Sequence, residues 1–509
     1  MSLLPFEEVF AGQIPEASAP LSSESLLAPG ALASMRRDLK RLLTGISARP
    51  LLAAFSVFRG WHGPKRELYG EFVDRLQNGG LKSFYAEYPE LARLTEVCVR
   101  DWSEAVHEFL IRLGEDREDL VGTFGAGAAG RIEKLEPALS DRHGGRSVTA
   151  VTFESGLKLV YKPRDMAVEQ SWFDLLAWLN RDGSPADHRI PRLLAKPGYG
   201  WMEWVPHEPC QSESSVSDYF VNAGALQCTL YVLHATDAHM GNVIAAGPQP
   251  VLVDAECLVQ PQWHPNADVD LEQQEWNDLL LAGMMPQPKL LRGEEVDLSA
   301  LTGGEGQVTD FRVPVWDHLN TDGMSLRMVQ GVLAPQKNLP VWNGSSIEAP
   351  AFGEDFLRGF AEMYRYLAGR VPDLLAPDGP LKPLFECHTR VLLDHTRRYL
   401  SLMNRSLHPG CLRDAPRRRA LLRDELSSYR PASILAAETK ALERLDVPYF
   451  SASARETSVC SEGSVLIPAY FARSGAEVVR SRFENLSEED LENRTSVIRV
   501  LLAMASLGL

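Results

Sequence analysis

At 509 residues the chain exceeds what one ordinary hydrophobic core organises, so about three lobes or domains are expected. Its 45% hydrophobic and 24% charged content excludes a disordered or fibrous chain, and a formal net charge of −16 argues against a nucleic-acid partner, because phosphate backbones are held by Lys and Arg. The seven cysteines (Cys98, Cys210, Cys228, Cys257, Cys387, Cys411, Cys460) are scattered and none has C-x-x-C spacing, which suggests neither a disulfide framework nor a zinc site. The opening MSLLPFEEVF lacks the basic-then-apolar pattern of a signal peptide, and no run approaches about 18 uninterrupted apolar residues. No membrane span and a cytoplasmic location are therefore expected.

Residues 1–135 read as an N-terminal helical region. A Pro/Ser/Ala-rich leader over 13–30 precedes helices in which Leu91, Leu94, Val97, Trp102, Val106 and Leu110 recur at helical spacing. The apolar LLAAFSVFRG at 51–60 is most simply core. Residues 136–210 read as a small β-rich lobe. Val148, Ala150 and Thr152 alternate, Ser155-Gly156 turns, and Leu157–Tyr161 returns as a second strand ending at Lys162. A lysine there suits a nucleotide-phosphate ligand, and equally a strand-end lysine whose stem covers apolar surface. Glu169, early in a helix predicted over 168–179, is a candidate partner for it. Just upstream, SDRHGGRS carries Asp141, His143 and Gly144-Gly145; it serves either as a phosphate-covering loop or as a tight turn. YGWMEWVP at 199–206 reads as a strand leading to a hinge.

Residues 211–262 contain the densest chemistry. A helix over 221–231 delivers HATDAHMGN, with Asp237, His239 and Asn242; after a Gly-Pro turn, the strand Val251-Leu252-Val253 ends at Asp254. An acid, an Asn five residues later and a strand-terminal Asp are how kinase-like folds orient a hydroxyl and hold magnesium on nucleotide phosphates. The D-x-H-x-x-N form is nearer to the lipid-kinase version. Asp and Asn also cap helices and fill turns, but two acids, a His and an Asn around one hairpin point to phosphoryl transfer. Residues 263–350 are polar, rich in Gly and Pro, and too long for a plain loop, so an activation-type insert is expected there, containing Asn320-Thr321-Asp322-Gly323-Met324. Residues 351–509 read as C-lobe helices and a helical tail. ECHTRVLLDHTRRYLSLMNRSLHPGCLRD is expected to be one helix carrying Arg390, Arg397, Arg398 and Arg405, either a solvated basic face or a guanidinium pair for phosphate. A last helix is expected to be capped near Ser487.

Taken together, LLAAFSVFRG, SDRHGGRSV, LKLVYKPR, GYGWMEWVPHEPC, HATDAHMGN, PVLVDAE, NTDGM, GFAEMYRYL, SLHPGCLRD and LSEEDL occur in an order that resembles the dehydratase domain of class II (LanM-type) lanthipeptide synthetases over nearly the whole chain. The resemblance implies an α+β, lipid-kinase-like two-lobed core with an activation subdomain and extra helices at both ends. It implies an enzyme that uses ATP and Mg²⁺ to phosphorylate Ser and Thr of a leader-bearing precursor peptide, then eliminates phosphate to leave dehydroalanine or dehydrobutyrine. Carried over by position, phosphorylation would use Lys162, Asp237, His239, Asn242 and Asp254, with Glu256 beside Asn242 and Asp254 at the metal. Elimination would use Asp141, His143, Arg390 and Thr396, with His143 or Lys162 as the base. Two departures stand out: Asp394-His395-Thr396 replaces the Arg-Pro-Thr common in the family, and the zinc-dependent cyclase domain is missing after residue 509. The second implies a stand-alone dehydratase, partnered by a separate cyclase, or a truncated synthetase. The alternatives are a kinase-only phosphotransferase, which loss of that Arg would favour, and a non-catalytic leader-binding subunit.

Overall fold

The computed structural model describes residues 3–12, 26–63, 67–264, 271–288, 296–427 and 430–508, without the side chains of 271–275 and 310. Of the leader expected over 13–30, residues 13–25 lie outside this range. The N-terminal helices are α1 (Pro29–His62), α2 (Leu68–Arg75), α3 (Leu81–Glu87), α4 (Pro89–Glu115) and α5 (Arg117–Phe124). The apolar spacing on α4 works as read: Leu91, Leu94, Trp102 and Leu110 are buried in one core with Leu39, Leu43, Leu51 and Phe55 of α1. By length and composition alone α1 is apolar enough to cross a membrane, and 44% of its most apolar window is buried inside the protein.

The same core is closed by an antiparallel sheet of β1 (Ile132–Glu136), β2 (Thr149–Phe153), β3 (Lys158–Lys162), β4 (Leu193–Lys196) and β5 (Tyr199–Glu203), in the order β1-β2-β3-β5-β4. The hairpin read from the alternation is β2–β3, with Thr149 opposite Tyr161 and Gly156 turning at φ +85°. Lys162 ends β3 opposite Gly200 of β5. Helix α6 (Ala167–Asp182) follows, then α7 (Glu213–Val232), whose second half from Ala223 to Val232 is buried on every side, and the short hairpin of β6 (Val243–Ala246) and β7 (Gln249–Leu252).

The insert at 263–350 holds α8 (Leu271–Leu280), the long hairpin β8 (Gln307–Asp317) and β9 (Ser325–Leu333), and the two-residue strands β10 (Val341–Trp342) and β11 (Ser345–Ser346). The β8–β9 tip reaches back to the N-terminal helices. Asp322 accepts from Glu67 N (2.8 Å) and Tyr69 N (2.7 Å), capping the start of α2, and Arg59 Nη1 donates to Asp322 O at 2.7 Å. Helix α9 (Gly353–Ala368) lies against α7 where both carry glycine: a Cβ on Gly224 would meet Phe356 O at 2.0 Å, and one on Gly359 would meet Val221 O at 1.9 Å.

The single helix expected over the stretch beginning ECHTRV is a strand followed by a helix. After the turns α10 (Val371–Leu374) and α11 (Lys382–Phe385), β12 (His388–Val391) precedes α12 (Thr396–Ser406). Thr389 and Val391 are buried while His388 faces out, a period of two that suits β-branched residues. The helices α13 (Pro409–Leu412), α14 (Ala415–Leu426) and α15 (Ala432–Glu443) then lead to β13 (Phe450–Ser453), β14 (Val459–Ser461) and β15 (Ser464–Ile467), which extend β12 into a four-stranded antiparallel sheet with Arg390 opposite Ser451. The helices α16 (Gly475–Glu484) and α17 (Glu488–Leu507) close the chain, the latter capped by Ser487 accepting from Asp490 N as read.

Candidate active site

The loop after α7 is wound tightly before it reaches β6. His234 (φ +49°) and Asp237 (φ +68°) adopt left-handed backbone, a conformation rare outside glycine and held here by tertiary hydrogen bonds. His234 Nδ1 meets Gln260 O at 2.6 Å, Thr236 N donates to Cys257 O, and Ala238 N donates to Ala282 O. Asn242 N donates to His239 O, and Val253 N donates to Asn242 O. The open end of β6–β7 therefore sets Asn242 beside Asp254. Asn242 Nδ2 donates to Asp237 O at 2.8 Å, which turns its Oδ1 the other way. His239 Nε2 lies 3.7 Å from Asp237 Oδ1.

Behind this hairpin, Lys162 Nζ is buried and donates to Val253 O at 2.7 Å, with Glu169 Oε1 at 3.4 Å and Asp254 Oδ1 at 3.7 Å. The Lys162–Glu169 pair suggested by the sequence is present. Burial opposes the charge of Asp254, but Lys162, Arg164 and Arg390 overcome it and hold the carboxyl down at about 2. Asp237 moves the other way: burial raises it, against the pull of His239 and Arg390.

A second group of residues arrives from distant parts of the chain. Gly144 (φ +58°) and Gly145 (φ +78°) form a tight turn closed by reciprocal bonds between His143 and Arg146, so the turn reading of this pair holds. A Cβ on Gly145 would meet Asp101 Cβ at 2.7 Å. The turn presents His143, whose Nδ1 lies 2.8 Å from Val447 O. A carbonyl only accepts, so Nδ1 carries the proton and Nε2 keeps a lone pair. Burial first, and Arg390 second, lower His143 to about 4, so the ring is neutral at pH 7. Asp141 is raised by burial, with Arg390 opposing.

Arg390 is held by its backbone: its N–H donates to Glu256 O, and its carbonyl accepts from Gln260 Nε2 at 2.7 Å. Its Nη1 donates to Glu256 Oε1 at 2.5 Å, while Nε and Nη2 are buried without a hydrogen-bond partner. Glu256 Oε2 faces Arg164 Nε at 3.0 Å. Both oxygens of Glu256 thus face guanidinium groups, and its Oε1 anchors Arg390. Thr396 is the first residue of α12. Asp394, which stands where the family often has Arg, pairs with Arg398 and Arg430 at 2.5 Å each and is not among the cleft residues.

The two groups share one cleft of about 1020 Å³, whose walls include Asp141, His143, Asp237, His239, Asn242, Asp254, Glu256, Arg390 and Thr396; Lys162 sits behind the wall. Sequence reasoning missed Arg164, two residues past Lys162 in LKLVYKPR, and Tyr449, whose ring lies 5.3 Å from that of His143 and 5.4 Å from the Arg390 guanidinium carbon. Proximity to Lys162 was a signal for Arg164; nothing local marked Tyr449.

Asn242 Oδ1 and the ionised Asp254 are hard oxygen donors, the kind magnesium takes together with substrate phosphates. Among the described residues no group of three His, Cys, Asp or Glu side chains is placed to hold a metal alone. Asn242 Oδ1 and Asp254 are the donors here that would suit magnesium, with its remaining ligands coming from outside the chain.

An α+β protein whose cleft gathers carboxylates, an amide, a neutral imidazole and an under-satisfied guanidinium is the class that fold and site define. The chain belongs to the family described as Domain of unknown function (DUF4135), whose model matches residues 88–453. It is also 22% identical over 382 residues to the Lacticin 481/lactococcin biosynthesis protein LcnDR2 of Lactococcus lactis subsp. lactis, an alignment covering 70% of this chain. The chain spans 40% of that protein's length. Both matches support the resemblance to class II lanthipeptide synthetases.

Proposed function

We propose that this chain is a lanthipeptide-modifying dehydratase with a kinase-like core, acting on Ser and Thr of a leader-bearing precursor peptide with ATP as phosphoryl donor. The observation that carries this reading is the single cleft: a hydroxyl-orienting, metal-fitting group on one side and a base with an under-satisfied guanidinium on the other. In the first step Asp237 orients the peptide hydroxyl and accepts its proton, and its raised affinity for protons suits that role. Magnesium, held by Asn242 Oδ1 and Asp254, would offset the charge on the transferring phosphoryl group. Lys162, behind Asp254, adds positive charge for the nucleotide phosphates.

In the second step a base removes the Cα proton, the electron pair forms the Cα–Cβ double bond, and the Cβ–O bond breaks to release phosphate. Of the two candidate bases, His143 is the better supported. Its Nε2 lone pair is unprotonated at pH 7, whereas Lys162 Nζ is already engaged by Val253 O, Glu169 and Asp254. Arg390 lines the cleft with Nε and Nη2 unpartnered, so by turning into the cleft it would receive the departing phosphate, with Asp141 and Thr396 positioning the phosphorylated residue. The pairing of Asp394 with Arg398 and Arg430 keeps its charge from opposing phosphate, which weakens the kinase-only reading.

The test is mass spectrometry of a Ser/Thr-rich precursor peptide encoded beside this gene, incubated with protein, ATP and Mg²⁺. Successive losses of water are expected. Stable phosphate adducts would replace this reading with a kinase, and an unchanged peptide without ADP release would refute it.

A further inference from the structure

Arg164 lines the cleft and belongs to no role assigned above. It follows β3, and its guanidinium is shared by three carboxylates: Glu169, Asp254 Oδ1 at 2.5 Å and Glu256 Oε2 at 3.0 Å. With Lys162 and Arg390, three cations face these three carboxylates. Asp254 is the pivot, because it is both an Arg164 partner and the candidate magnesium ligand. A divalent ion on Asp254 would join Arg164 and Lys162 as a third positive centre at one carboxylate, and close like charges repel strongly in a partly buried site.

The other contacts of Arg164 favour a change of partner. Glu256 Oε2 is near Arg164 Nε yet has no hydrogen bond, so that contact is charge attraction without alignment. On the opposite oxygen of Glu256 sits Arg390, with Nε and Nη2 unpartnered. One carboxylate therefore separates two guanidinium groups, both on the cleft wall. Two forks around one anion are a strong arrangement for a phosphate dianion.

We propose that Arg164 is a second phosphate ligand controlled by the metal: it neutralises Asp254 when no divalent cation is bound, and turns to the phosphoryl group beside Arg390 once the cation takes Asp254. This rests on the dehydratase reading and deepens it, since it links the two halves of the cleft through one side chain. The physical consequence is linkage. Metal and phosphate bind cooperatively, and Arg164 carries part of the coupling.

The experiment titrates the intact protein with Mn²⁺ alone, and with inorganic phosphate in the absence and presence of saturating Mn²⁺, by calorimetry. In the wild type, Mn²⁺ should tighten phosphate binding by about tenfold, within the ordinary range for coupled ligands. Arg164→Gln removes the competitor at Asp254, so Mn²⁺ alone should bind more tightly while the coupling to phosphate falls below about threefold. Unchanged Mn²⁺ affinity together with unchanged coupling would overturn the proposal. If Arg164→Gln fails to fold because Glu169 loses a partner, Arg164→Lys decides the matter. A lysine keeps the charge but lacks the fork, so the coupling must drop, and full coupling in that variant overturns the assignment. Neither titration uses ATP or peptide. Arg164-dependent coupling in a protein that leaves its peptide unmodified would refute the dehydratase reading alone; unchanged coupling in a protein that dehydrates its peptide would refute the role of Arg164 alone.

Discussion

Replacing Arg390 with alanine separates the two proposed chemical steps. The backbone at this position is pinned from both sides, by Arg390 N donating to Glu256 O and by Gln260 Nε2 donating to Arg390 O, and β12 keeps its register with β13. The change therefore remains confined to the side chain. Glu256 loses one partner but keeps Arg164 at its other oxygen, so the stability loss should fall at about 1–3 kcal/mol, the cost of leaving a buried polar group under-satisfied. The catalytic loss should be larger. Removing one preorganised donor from a developing charge costs about 2.7–4 kcal/mol, or about 10²–10³ in rate, and here it should fall on elimination alone. The assay follows intact peptide mass over time, with the urea midpoint measured in parallel. Phosphorylated peptide should accumulate while its rate of formation stays within a few-fold of wild type. Complete dehydration at the wild-type rate, or equal loss of both steps, would refute the division of the cleft.

Three further outcomes are expected. Gly224→Ala and Gly359→Ala should each destabilise by about 3 kcal/mol or more in urea melts, because the added methyl would sit about 2 Å from a backbone carbonyl oxygen across α7–α9 and neither helix can give way cheaply. Asp322→Ala should cost about 1–2 kcal/mol through loss of the α2 cap, and should raise protease cleavage at the β8–β9 tip; unchanged cleavage would mean the tip is held by other contacts. Acid should destabilise the fold between pH 6.5 and about 4. Burial lowers His143 and His188 to about 4 and His234 to about 3, so in that window the unfolded chain binds protons that the folded chain does not, and stability falls by about 1.4 kcal/mol per pH unit for each fully differing imidazole. His234→Gln should make the measured slope shallower by one such contribution.

Much of the proposed phosphoryl-transfer group was legible in sequence because it is local. Asp237, Asn242 and Asp254 are joined by one two-stranded hairpin, and a short apolar pair with a Gly-Pro turn leaves few ways to separate its ends. Lys162 and Glu169 were readable as a pair for the same reason: seven residues span a strand end and the first turn of the next helix. The other group was legible only as scattered polar residues carried by a family resemblance. Periodicity also failed at Arg390, where HTRV could be strand or helix until a partner was known. That partner, Phe450–Ser453, lies about 60 residues further on and supplies the hydrogen bonds that make β12 a strand. Tertiary structure alone decided that Arg390 faces Glu256, that Arg164 reaches Asp254 and Glu256, and that Arg430 joins Arg398 in neutralising Asp394. The physical reason is range. Backbone conformation follows from neighbours a few residues away, whereas the charge state and orientation of a buried ionisable group follow from whatever distant groups the fold brings within a few ångströms, and local sequence carries little record of them.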